Sequence, residues 1–171
     1  MKQIYTHPKR KTKVVFVQLG SPSEPTTQAL RKYLRKFLGD PRVIDINPWL
    51  WKIILNLFVL PFRPKKSAKL YARIWDGESF PLITNTRNFT NNVREELKKI
   101  DPNGHVEVNH AFLLSPPYVN EVYDSWEDDL KKGIGATKLL VIPMFPQYSE
   151  STIASGIDAL AKELSKRVKI P

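Results

Sequence analysis

Residues 146–156, PQYSESTIASG, set Tyr148, Ser149, Ser151, Thr152 and Ser155 close together just after the apolar run Leu139–Ile142 and just before an amphipathic tail. The hydroxyls therefore stand where a buried strand gives way to a helix. Two uses fit that place. They could cap the first free amides of the helix, or they could line a pocket at the C-terminal ends of parallel strands, where loops and helix N-termini present donors to a ligand. A second group, Arg63, Lys65, Lys66, Lys69 and Arg73, suits recognition of carboxylates or phosphates, with an ordinary solvated face as the alternative. His7 lies in a basic arm and His105 follows a Pro-Asn-Gly turn, which makes both solvated or structural. His110 falls in a predicted strand, where a hydrogen-bonded core histidine is commoner than a base or a ligand. Asp124, Glu127, Asp128 and Asp129 read as an exposed helix face.

Other chemistry is excluded by type. The chain has no cysteine, so it offers no disulfide, no thiolate nucleophile, no cysteinyl zinc site and no ligand for an iron–sulfur cluster. It contains no H-E-x-x-H, no G-x-S-x-G and no phosphate-binding glycine loop; Gly20 stands outside any G-x-G-x-x-G pattern.

The elements that must position these residues follow a strand and helix rhythm. KVVFVQL, residues 13–19, is a valine-rich run closed by Gly20, Ser21 and Pro22, as expected of a buried parallel strand entering a turn. Thr26 or Thr27 caps a predicted helix bearing Leu30, Leu34, Phe37 and Leu38, and Gly39-Asp40-Pro41 ends it. Phe89, Val93, Leu97 and Ile100 form another helical stripe. Residues 106–114 and 138–143 read as inner strands, with Val119, Val122, Trp126 and Leu130 between them on a helix. Ile153, Ile157, Leu160, Leu164 and Val168 make the last stripe. This alternation predicts one α/β domain over residues 1–171, a parallel sheet flanked by helices. Three loops then meet at its C-terminal edge: Gly20–Pro22, Ser115–Pro117 and Pro146–Ser155.

Pro48–Phe62, PWLWKIILNLFVLPF, breaks the rhythm. It is almost wholly apolar, yet shorter than the roughly 20 residues that span a bilayer. It is either a buried helix or an apolar lip resting on a membrane surface beside the basic group that follows it. The chain of 171 residues carries 27 basic against 17 acidic side chains, a net charge of +10 that attracts anions. Lys2, Lys9, Arg10, Lys11 and Lys13 crowd the start as a solvated basic run. Nucleic acid is the weakest of the anionic partners, because the aromatic residues gather in the apolar segment instead of interleaving with the cations. With no signal-like apolar core near Met1, the location expected is cytoplasmic, peripheral on a membrane through residues 48–62.

VVFVQLGSPSEPTTQALRKYLRKFLGDPRVIDI, FRPKKSAKLYARIWDGESFPL and PMFPQYSESTIASG occur in that order and resemble three stretches of the ferrochelatases. The first resembles the family's strand ending in Asn-Leu-Gly-Ser/Gly-Pro, the second its basic stretch leading to Tyr-x-x-Ile and Gly-Ser-Pro-Leu, and the third its P-x-Y-P-Q-Y-S-x-S-T-T-G-S signature. The resemblance implies a chelatase-like, Rossmann-type half-domain and insertion of ferrous iron, as substrate, into a porphyrin during haem synthesis. It implies porphyrin contacts from Arg63, Tyr71 and Ser79, the last displaced by the intervening Phe80, and a cleft wall of Tyr148, Ser149 and Ser151. It also implies that residues 48–62 form a membrane-facing, substrate-admitting lip.

This chain departs from the family at several points. Ala111-Phe112-Leu113-Leu114 stands where a polar pair is usual, Gln18 replaces an asparagine and Ile153 a threonine. Glu150 occupies a position where some relatives carry cysteine, so no bound cluster or other resident cofactor is expected. The family's catalytic histidine motif and its assisting glutamate would lie beyond Pro171, so no catalytic residue is assigned, the metal site is unknown, and His110 is not promoted in their place. A half-domain of this kind is expected to self-associate or to pair with a C-terminal half. The alternative to an enzyme is a non-catalytic module that binds porphyrin or haem.

Overall fold

A computed structural model describes residues 11–133 and 135–166. Its centre is β1 (Thr12–Gln18), buried from Lys13 to Val17. It lies between β2 (Val106–Phe112) and β3 (Lys138–Pro143) in a parallel sheet of order β2-β1-β3, with Phe16 opposite His110 on one side and Ile142 on the other. A strand with partners on both edges and helices on both faces has no polar side to show, which is why its sequence is continuously apolar instead of alternating. The parallel α/β sheet expected from the sequence is therefore present. The second strand ends at Phe112, earlier than Leu114, because the chain doubles back there and the Phe112 N–H donates to the Pro117 carbonyl at 2.8 Å.

Side-chain alternation along β1 divides the core. Val15 and Val17 face α5 (Val119–Lys131) and α6 (Ser155–Ser165), whereas Val14 and Phe16 face α4 (Pro81–Ile100). Val119, Val122 and Trp126 are buried as the periodicity predicts, and the Trp126 indole N–H donates to the Ala136 carbonyl at 2.6 Å. Two predicted stripes are not buried throughout: Phe89 and Ile100 are exposed in one and Ile157 in the other, and Val168 lies outside the described residues. On α1 (Thr27–Leu38) Thr26 accepts from the Ala29 N–H at 3.2 Å, a true N-cap. The inner face of α1 is Ala29, Leu30 and Tyr33, with Leu34, Phe37 and Leu38 only half-buried.

Pro48–Phe62 forms neither a single helix nor a buried one. α2 (Pro48–Ile54), a π-helical turn (Leu55–Val59) and α3 (Leu60–Tyr71) run on as one path, so most of the basic group sits on α3 itself. Leu55 and Leu60 are buried, but Trp49, Leu50, Ile53, Leu57, Phe58 and Phe62 are exposed. No helix among the described residues is long and apolar enough to cross a membrane.

The basic start is not uniformly solvated. Lys13 is only 1% exposed, with its Nζ 3.2 Å from Glu107, its register partner on β2, and 3.9 Å from Asp129 of α5. Asp129 thus turns inward from the acidic face assigned to it. Lys2, Lys9 and Arg10 lie outside the described residues. A buried cation needs its partners, but these carboxylates keep access to water, which moderates the cost of losing the pair. Lys13→Ala is expected to destabilise the fold by about 1–3 kcal/mol, and Lys13→Met, which keeps the packed stem, by less than about 1 kcal/mol. Urea midpoints at constant m-value would measure both, and equal losses would show that the charge matters and the stem does not.

Candidate functional site

The path from β1 returns to β2 through α4 on one face of the sheet, while β3 leads into α6 on the other. The chain therefore diverges between the C-terminal ends of β1 and β3, and such a switch point opens a crevice. Its floor is tied together from three loops. Gln18 donates from Nε2 to the Met144 carbonyl at 2.9 Å and accepts the Leu19 N–H on Oε1 at 3.0 Å, while the Leu114 N–H donates to the Leu19 carbonyl at 3.0 Å. Gly20 has φ +94°, and a Cβ there would lie 2.4 Å from Ser115 Oγ, the atom that accepts the Ser21 N–H at 3.3 Å. Only glycine lets the β1 turn approach the β2 loop this closely.

Above that floor lies a cavity of about 100 Å³ whose lining includes Leu19, Phe37, Asp40, Leu113, Ser151 and Ser155. Leu113, from the apolar stretch Ala111-Phe112-Leu113-Leu114 noted above, is part of its wall. A larger cleft of about 310 Å³ opens on the other side of α1, between Lys32 and Lys36 and the loop of Ser115 and Tyr118; Lys36 Nζ donates to the Tyr118 hydroxyl at 3.0 Å.

The hydroxyl-rich loop is not a cap. A π-helical turn (Glu150–Ala154) begins at Ser149, where the N–H groups of Thr152, Ile153 and Ala154 converge on the Ser149 carbonyl at 3.3, 3.0 and 3.3 Å. Backbone bonds take up those three amides, and no side-chain hydrogen bond caps the turn. Ser149 Oγ instead meets Ser151 Oγ at 3.1 Å, the Thr152 hydroxyl donates to the Ser149 carbonyl at 3.4 Å, and Tyr148 is exposed. The Ser155 hydroxyl donates to Asp40, whose other carboxylate oxygen accepts the Arg42 N–H at 2.8 Å. Arg42 in turn grips Asp158 with two bonds, 2.7 and 3.3 Å, which hold that carboxyl below its ordinary pKa. The turn after α1 is thereby fastened to the start of α6.

Arg63 is exposed on α3. Tyr71, at the end of α3, sets its ring 5.4 Å from Phe80, edge to face, and 6.4 Å from Tyr33. Burial, and then the neighbouring Tyr71 hydroxyl, push the Tyr33 phenol well above its usual range; it donates to the Gly20 carbonyl at 3.5 Å. Ser79 Oγ lies 2.6 Å from Thr84 Oγ1, and its N–H donates to Asp76 at 2.6 Å, which with the Glu78 N–H lowers the Asp76 pKa. The inserted Phe80 is buried between Tyr71 and Trp75, so it displaces Ser79 in sequence by serving as a packing residue.

Four of the six predicted site residues thus fall into two groups, Tyr71 with Ser79 around Phe80 and Ser149 with Ser151 beside α6, while Arg63 and Tyr148 are exposed. No hydrogen bond or ring contact among the described residues joins one group directly to the other. Tyr33 carries the first group toward the crevice and Asp40 anchors the second, and sequence reasoning missed both. Tyr33 was legible, since it lies four residues after Ala29 on the same helix face; Asp40 looked like part of a helix stop.

His105 is structural, with Nδ1 2.8 Å from Asp101. His110 is half-buried against Phe112, ring centroids 5.5 Å apart, and its buried Nδ1 lacks a hydrogen-bond partner, contrary to the bonded core histidine expected. Burial first, then the charges of Arg94 and Arg87, lower its pKa. Among the described residues no cluster of three or more histidine, aspartate or glutamate side chains is placed to hold a metal ion.

Residues 11–171 match the family model described as Ferrochelatase. The chain belongs to the ferrochelatase family. It is similar to the ferrochelatase of Idiomarina loihiensis, 40% identical over 158 residues, covering 92% of this chain and 42% of that protein. The ferrochelatase of Herminiimonas arsenicoxydans is 41% identical over 169 residues, 98% of this chain and 44% of its own length. The coproporphyrin III ferrochelatase of Streptococcus mutans is 40% identical over 163 residues, 95% of this chain and 49% of its own. The chain thus spans less than half the length of these curated relatives.

The lowered pKa of His110 sets a pH dependence. Below the unfolded pKa near 6.5 the unfolded chain binds this proton and the folded chain resists it, so folding stability is present above pH 6.5 and falls as pH drops toward the folded value. His110→Gln is expected to flatten that fall below about pH 6.5. Urea titrations at several pH values would check this, and an unchanged slope would remove His110 as its source.

Proposed function

We propose that this chain supplies the porphyrin-holding part of an enzyme that inserts ferrous iron, its substrate, into a porphyrin in haem synthesis. The observation that carries the reading is the family match across residues 11–171; the hydroxyl-rich loop, whose Ser151 and Ser155 line the crevice and which makes no side-chain cap, supports it.

A porphyrin is a flat apolar disc with carboxylates on one edge. It asks a site for an apolar wall, cations and hydroxyls at the rim, and a base for the pyrrole protons. The exposed face of Pro48–Phe62 supplies apolar surface for the ring and for lipid headgroup contact, with Arg63 at its border to meet a propionate. Tyr71 and Ser79 add hydroxyl-bearing contacts on the same side. Tyr148, Ser149 and Ser151 form the opposite wall, where Tyr148 is exposed and the two serines hold each other in place. The base is not assigned to any residue of this chain; His110 lies on the α4 side of β2, where burial and then the charges of Arg94 and Arg87 lower its pKa.

Arg63→Ala is expected to weaken binding of a dicarboxylate porphyrin by about 1.5–3 kcal/mol, the range for a charge-assisted hydrogen bond. Quenching of tryptophan emission during a porphyrin titration measures it. Affinity equal to the wild-type chain would contradict the assignment of Arg63.

A further inference from the structure

The helical path that carries Arg63 and Tyr71 has a defect built into it. Pro61 and Pro64 both lack the N–H that would bond four residues back, which leaves the carbonyls of Leu57 and Leu60 without their ordinary helical donors. Before Pro61 the helix widens into the π turn, where the Leu60 N–H reaches back to the Leu55 carbonyl. At Pro64, inside α3, the missing donor is replaced from another element: Arg31 Nε of α1 donates to the Leu60 carbonyl at 3.2 Å. Leu60 is buried, so its carbonyl has limited access to water as a substitute.

We infer that Arg31 is a positioning residue which, through the Leu60 carbonyl left open by Pro64, sets the direction of α3 and so the place of Arg63 and Tyr71 relative to the crevice. Arg31 has no role in contacting porphyrin; it acts through the helix. The packing agrees, since α1 and α3 are closely apposed helices and Tyr33, two residues after Arg31, is the ring neighbour of Tyr71. Arg31 thus ties down the proline end of α3 while Tyr33 meets its C-terminal end. The consequence for ligand binding rests on the porphyrin reading given above, whereas the fastening of α3 does not.

Two measurements on this chain separate those levels. Tryptic cleavage after Lys65, Lys66 and Lys69 reports local opening of α3, and porphyrin titration reports the site. Arg31→Met, which keeps the stem and loses the donor, is expected to speed cleavage in α3 and weaken porphyrin binding by about three- to tenfold. Arg31→Lys, which keeps a donor, should restore most of both. In an Arg63→Ala background, Arg31→Met should cost less affinity than it does alone, because one of the two groups it positions is gone; a general loss of stability would add in full. If Arg63→Ala weakens binding but Arg31→Met leaves affinity and cleavage unchanged, the inference is overturned and the porphyrin reading stands. If Arg63→Ala has no effect, that reading of Arg63 fails and the cleavage rates alone decide whether Arg31 fastens α3.

Discussion

Burial of β1 on all four sides is the constraint on which the other features depend. A strand with two parallel neighbours and a helical layer on each face cannot leave sideways; it must run out at its C-terminal end into a turn tight enough to clear the loops of both neighbours. Gly20 supplies the backbone angle for that turn, Ser115 fills the space a side chain would have occupied, and Gln18 clasps the exit of β3. The crevice is what remains when three such loops are held together while the helices that follow them diverge.

Around that fixed floor the walls are fastened by single polar contacts, each at a point where regular structure stops. Asp40 receives the Ser155 hydroxyl, Arg42 holds Asp158, Tyr33 reaches the Gly20 carbonyl and Arg31 takes the carbonyl that a proline leaves open. Irregular backbone accompanies the contacts made to α6 and α3, as π turns at residues 150–154 and 55–59. The scaffold is buried and apolar; the candidate site is built from the exceptions to it.

That division explains what the sequence disclosed. The strands, the stripes on α5 and α6 and the Thr26 cap were legible because burial imposes periodicity, and periodicity survives in the order of residues. The character of Pro48–Phe62 was not, because an apolar run looks the same whether it is packed or exposed; only position decides that Leu55 and Leu60 turn inward while Trp49 and Phe58 do not. Lys13 was misread for the complementary reason, since its partners Glu107 and Asp129 are distant in sequence and reach it only through the β1–β2 register and the packing of α5. Asp40 and Arg31 share that difficulty: each matters through a contact with another element that no local pattern announces. The hydroxyl loop was expected to line a site from its position and by resemblance, and its freedom from capping came only with the geometry.

The central claim is that porphyrin enters the switch-point crevice between the exits of β1 and β3. Amide chemical-shift mapping of the isotopically labelled chain with a dicarboxylate porphyrin tests it most directly. The account predicts the largest shifts at Leu19–Ser21, Leu113–Leu114 and Ser149–Ser155, with a second set near Arg63 and Tyr71. Shifts confined to α5 and the outer edge of β2, with the three loops unmoved, would contradict it.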